Sequence, residues 1–255
     1  MLHLGKYRLP RLYRDRQGSE NRMSHWKSLA PVFLTLAIAT SPLPAHAAQK
    51  NSTTDAGVFF ILSSQKRIGS EKFKITSTAA GVEAAAEIEV AMPGSPKVSE
   101  TSLLKLDTNL HPASYERLQK LPKKGSVTVE FGSPESKLVS RTAAGADERL
   151  FFLPADHLAV LDTNFFHHYA LLLRQYDAEQ GGAQHFNVFV PQEATPGTIS
   201  LELQGKENQQ VGKATREFNH YQAVTDEVKI DIWATPQCEI YRMSISQANL
   251  EVVRQ

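Results

Sequence analysis

The strongest constraint on this chain is a hydrophobic period of two that returns from Gly57 almost to the C-terminus. Phe73 and Ile75 alternate with Lys72, Lys74 and Thr76, and Val127, Val129 and Phe131 with Thr128 and Glu130. The same alternation runs through Phe186, Val188 and Val190, through Ile199, Leu201 and Leu203, through Val228, Ile230 and Ile232, and through Tyr241, Met243 and Ile245. Successive side chains of a strand point to opposite faces, so this period describes strands with one buried and one wetted face. Parallel sheets, covered on both sides, read instead as unbroken apolar runs, so the sheet is expected to be antiparallel. Turn signals cut the runs at short intervals: Gln65 to Gly69, Pro93 to Pro96, Pro122 to Gly125, Ala143 to Ala146, Thr195-Pro196-Gly197, Gln209 to Gly212 and Thr235-Pro236. The expected fold is mainly β, a curved antiparallel meander sheet of roughly ten or more strands without βαβ units.

One segment changes period. Between Asp162 and Tyr176 the apolar residues Phe165, Phe166, Tyr169, Leu172 and Leu173 recur at helical spacing, with Asp162 or Asn164 placed to cap the first free amides and Gly181-Gly182 beyond the end. The spacing predicts one central amphipathic helix of about three turns near residues 163–176, packed on the sheet. Two aromatics break strand parity: Phe189 falls opposite Phe186, Val188 and Val190, and Trp233 opposite Ile230 and Ile232. The helix is the economical cover for both. The same arrangement sets Phe165, Phe166, Tyr169, Phe189 and Trp233 around a sheet–helix groove for an apolar or amphipathic ligand.

The first part of the chain reads as an export signal. From Met23 a short basic segment (His25, Lys27) leads into the apolar run Leu29 to Ala39, and then into Ser41-Pro42-Leu43-Pro44-Ala45-His46-Ala47. That order is a signal peptide over 23–47, with Ala45 and Ala47 as the small residues of the cleavage site. The apolar run is shorter than the roughly 20 residues that cross a bilayer as a helix. Residues 1–22 are read as an upstream mis-start or extension, 48–56 as a flexible leader, and 57–255 as a single antiparallel β domain. The chain from residue 48 has 21 basic and 25 acidic residues with the signs interspersed, which disfavours nucleic acid as a partner. A single cysteine, Cys238, excludes an internal disulfide. The expected localisation is periplasmic or secreted, with no transmembrane segment in the mature chain.

No reaction is specified. His167-His168 are adjacent, so on a helix their rings point about 100° apart and do not converge on one ion as an i, i+4 pair does. No Gly-x-Ser-x-Gly turn, phosphate-cradling loop or dinucleotide fingerprint is present. Carboxylates such as Asp156 with Asp162, or Asp226, Glu227 and Asp231, lack a spacing that selects acid–base chemistry. Neither catalytic nor metal-binding residues are assigned, and no cofactor is expected.

Several motifs together resemble a known family. Phe59-Phe60-Ile61-Leu62, Ile68-Gly69-Ser70-Glu71-Lys72-Phe73, Leu106-Asp107-Thr108-Asn109-Leu110-His111-Pro112, Tyr169-Ala170-Leu171-Leu172-Leu173-Arg174 and the hairpin Ile232 to Arg242 follow one another in the order of an uncharacterised family of exported bacterial β-sheet proteins. That family, a domain of unknown function, is distantly similar to the periplasmic lipoprotein-carrier β-clam. The resemblance implies a half-barrel with a helix in its concavity, and no catalytic residues; Cys238 departs from the small or turn-favouring residue usual at its position. The leading functional expectation is a non-enzymatic envelope protein that binds a lipid or an acylated partner. The alternatives are a hydrolase using His157, His168 or nearby Asp residues, and a cell-surface interaction module that pairs through an exposed strand edge.

Overall fold

The computed structural model describes residues 53–255, within one compact unit spanning Ala48–Gln255. The extension, the signal and its cleavage residues Ala45 and Ala47 lie outside the described residues. Eight strands come first: β1 (Thr53–Ser63), β2 (Lys66–Thr78), β3 (Gly81–Val90), β4 (Val98–Leu106), β5 (Pro112–Leu121), β6 (Gly125–Glu130), β7 (Ser136–Thr142) and β8 (Gly145–Phe151). After β9 (Leu158–Val160) and the single α-helix of the described residues, α1 (His168–Leu173), come β10 (Gln184–Val190), β11 (Thr195–Val211), β12 (Ala214–Val224), β13 (Lys229–Ala234), β14 (Ile240–Ile245) and β15 (Leu250–Arg254).

All fifteen strands form one curved open sheet in the order β8-β7-β6-β5-β4-β3-β2-β1-β15-β14-β13-β12-β11-β10-β9. The first and last strands therefore pair in its middle, from Phe59 opposite Arg254 to Ser63 opposite Leu250, and two meandering arms extend from that seam. Every pairing is antiparallel except β9 with β10, which is parallel because the 161–176 excursion between them returns the chain to the same edge in the same direction.

The alternating positions supply the core face. Phe59, Phe73, Ile75, Ile88, Leu104, Val129, Leu201, Ile232 and Met243 are all buried in one hydrophobic cluster. Phe59 and Phe73 stack at 4.5 Å across β1 and β2, each burial contributing about 1.5–3 kcal/mol. The curvature brings the two arms together: Phe131, just past β6, and Phe151 of β8 pack edge-on against Phe189 of β10, at 6.3 and 4.9 Å between ring centres.

Three local expectations change. β1 begins at Thr53, inside the segment expected as a flexible leader, because Asp55 is buried on the core face and ion-paired with Arg254 of β15. Thr195-Pro196-Gly197 is the start of β11 and not a turn; the chain reverses earlier, at residues 191–193, where Ala194 takes a left-handed φ of 50°. Proline is tolerated there because it stands at the beginning of a strand. The helix is six residues long, because residues 161–167 are held in turns by bonds to neighbouring strands.

Candidate functional site

The core face carries ionisable residues where the strand pattern calls for apolar ones. Glu71 shares the parity of Phe73 and Ile75 on β2, Glu100 that of Leu104 on β4, and Arg117 that of Tyr115 on β5, and all three side chains are buried. Arg117 pairs with Glu100 through two bonds, Nε at 3.0 Å and Nη2 at 2.5 Å, which satisfies the charge of both in a water-poor setting.

Glu71 has a different partner. Its Oε2 accepts from the Phe166 amide at 2.9 Å and its Oε1 from the His167 amide at 3.4 Å, while Oε1 lies 2.5 Å from His167 Nδ1. Glu71 thus holds the turn that enters α1 from a strand 96 residues away in sequence, on the segment where Asp162 or Asn164 was expected to cap the helix. Asp162 is engaged elsewhere: its Oδ2 accepts from the Tyr115 hydroxyl at 2.5 Å, and its Oδ1 from the amides of Gln192 at 2.8 Å and Thr163 at 3.0 Å. The Asp162 amide in turn donates to His168 Nδ1 at 3.2 Å, which makes Nδ1 the acceptor and places the His168 proton on Nε2.

Burial dominates the electrostatics of this cluster. It raises the Glu71 carboxyl to about 8 against the pull of the two amides, so at neutral pH the carboxyl keeps its proton and donates it to His167 Nδ1. It lowers His167 to about 3 and drives His168 well below the usual imidazole range, with the neighbouring His167 adding to the latter. Asp162 is raised to about 6 by burial, moderated first by the Tyr115 hydroxyl and then by the Gln192 amide. The two imidazole rings lie 4.4 Å apart, yet each Nδ1 is committed to a different partner, and both Nε2 atoms lack a hydrogen-bond partner among the described residues. Among the described residues no three His, Cys, Asp or Glu side chains are grouped to hold a metal ion. His157 and His185 are exposed and do not approach this cluster.

The five candidate groove residues do not line one groove. Phe165 and Phe166 belong to the turn that enters α1, with Phe165 edge-on to His167 at 6.0 Å, and both are buried. Tyr169 follows on α1 and is half-buried. Phe189 is wholly buried where the far ends of the two arms meet, against Phe131 and Phe151. Trp233 stands on the opposite face of the sheet: it stacks on His220 at 4.8 Å, lies under the Arg242 guanidinium and donates from Nε1 to Glu207 at 2.7 Å. The cover for Trp233 comes from the β11–β12 hairpin, which Gly205, at φ 131° beside a register shift, bends over the outer face until Tyr241 donates to the Gln210 carbonyl. Parity breaking correctly marks residues buried on a second face. It does not say which neighbour buries them.

The ionisable members of the core, Glu71, Glu100 and Arg117, escape a reading by alternation alone, although the signal is present: each stands on the apolar parity of a strand. Comparison with known proteins adds the fold. No family model and no curated protein matches the sequence. Among solved structures, the β-barrel-like protein of the domain of unknown function DUF1849 from Brucella abortus is similar, with a TM-score of 0.52 at 8% identity over 81% of this chain and 95% of that one. The likeness is one of fold, an uncharacterised β-sheet domain. No helix among the described residues is long and apolar enough to cross a membrane.

Proposed function

We propose that this chain is an exported, non-catalytic envelope protein whose curved sheet receives the apolar part of an amphipathic ligand, a lipid or an acylated protein, in the place that residues 161–176 occupy. The observation that carries the reading is how the concave face is filled. A single excursion between β9 and β10 supplies Phe165, Phe166 and Leu171 to Leu173 to the core, and these form one cluster with side chains from both arms. An alkyl chain offers the same chemistry as those side chains. The polar bonds that fix the excursion gather toward its ends: Leu161 to Phe189, Asp162 to Tyr115 and Gln192, Thr163 to Glu193 and Glu71 at the entry to α1, then Arg174 to Ser77 at 3.3 Å and the Tyr176 hydroxyl, which accepts from the Leu203 amide at 3.3 Å. The β-barrel-like neighbour and the resemblance to the clam family support the reading by analogy of fold.

Native mass spectrometry of the protein exported from a bacterial host and purified without detergent tests it, with solvent extraction of whatever is retained. A copurifying amphiphile, retained in larger proportion by Glu71→Ala than by the wild type, is the expected result. An apo mass in both, with Glu71→Ala still folded by circular dichroism, would contradict the proposal.

A further inference from the structure

The two ends of the sheet are finished differently. β9 is three residues long and buried throughout. β8 has seven residues, the first six exposed, and among the described residues no strand pairs with its outer edge. Leu150 at 55% and Phe152 at 73% are the most exposed large hydrophobic residues there. They lie two apart, on the side of the strand away from Phe151, whose ring packs on Phe189. The β7–β8 turn closes on the pair Thr142 and Gly145. In such a two-residue hairpin the closing pair and every second pair after it bond across the ladder, so the N–H and C=O groups of Ala146, Glu148 and Leu150 point to the open edge. Proline, charged side chains and bulges are the usual means of blunting an edge; β8 has no proline, its register with β7 is unbroken, and its charges, Asp147, Glu148 and Arg149, are of both signs, so they oppose some pairings and not others.

The geometry points to β8 as a self-pairing edge that takes the β8 strand of a second copy of this chain, antiparallel, about a two-fold axis at Leu150. Such an axis stands perpendicular to the sheet and keeps each face on its own side, so it must pass through one residue facing its own copy. Centred on Asp147, Glu148 or Arg149, it sets identical charges against each other, which is unfavourable. Centred on Phe151, it sets Glu148 opposite Pro154, which has no N–H to donate. Centred on Leu150, it stacks Leu150 on its copy, sets Glu148 opposite Phe152, and brings the Arg149 guanidinium beside the partner copy's Phe151 ring, each contact occurring twice. The surface covered is small against the roughly 800 Å² per partner of a stable complex, so association is weak and concentration-dependent.

Sedimentation equilibrium of the full chain from about micromolar to about millimolar concentration tests the pairing. The expected result is a wild-type mass that climbs toward twice the monomer. Leu150→Pro removes an N–H that points away from β7, and Leu150→Glu puts like charges on the axis; at least one of the two keeps the wild-type circular dichroism and stays monomeric throughout. A wild type that is monomeric at every concentration, or an association that persists in folded Leu150→Glu, would overturn the inference. So would a monomeric wild type whose β8 amides become protected only with an unrelated extended peptide, since that assigns the edge to another partner.

Discussion

The sheet carries two polar clusters, one on each face, and they are built on opposite terms. On the core face Glu71, His167, His168, Asp162 and Tyr115 are sealed from water, and burial sets their proton affinities. On the outer face His220 is bracketed by Glu207, 2.8 Å from Nδ1, and Asp231, 3.0 Å from Nε2, with the Glu207 side chain 47% exposed. Water can replace a lost partner on the outside and not on the inside. The comparison teaches that polar groups of similar type do different work: the outer cluster pins a hairpin over Trp233, while the inner one ties the segment that enters α1 to β2 and β5.

The largest expected effect follows from removing the inner acceptor. Glu71→Ala leaves the Phe166 and His167 amides unsatisfied and is expected to cost roughly 3–5 kcal/mol by chemical denaturation. Trp233→Ala, on the other face, is expected to cost about 3 kcal/mol through lost packing and to leave the amount of copurifying amphiphile unchanged. A loss of ligand in Trp233→Ala would break the comparison.

A third effect is pH-dependent. Glu71 has its proton affinity raised to about 8 in the folded chain, from an ordinary 4.5 when unfolded. Between pH 6.5 and 8 the folded chain holds this proton and the unfolded chain does not, so stability falls as pH rises, by about 1 kcal/mol per unit and about 2 kcal/mol across the window. Below pH 6.5 the buried histidines oppose this slope, because the unfolded chain binds protons that folded His167 refuses until about pH 3. Glu71→Gln keeps an acceptor for Phe166 and a donor for His167 Nδ1 without titrating, and its denaturation midpoint should show no fall over the same window. Glu207→Gln is the smallest expected change, at most about 1 kcal/mol, since its partners remain within reach of water.

Much of the fold was legible because the core face alternates cleanly: every run read as a strand, from Phe73 to Ile245, falls on one, with only Phe131 and Val228 a residue outside. β8 escaped notice because Asp147, Glu148 and Arg149 make it polar on both faces, and an edge strand that meets solvent has no apolar parity to show. The helix was overextended because Phe165 and Phe166 are apolar at helical spacing yet are held in a turn by Asp162 and Glu71. Spacing reports which residues are buried together; it cannot report an acceptor supplied from β2 to the amides of Phe166 and His167. For the same reason the groove dissolved into three places, with Phe189 filled by the far arm and Trp233 by a hairpin bent at Gly205.

Hydrogen–deuterium exchange with and without a short-chain phospholipid tests the central claim most directly. If residues 161–176 stand in for a ligand, binding frees the amides of 166–173 for faster exchange while those of the hairpin over Trp233, residues 207–218, keep their rates. Unchanged exchange at 166–173 under conditions where the lipid is bound, or equal change on both faces, would contradict the account.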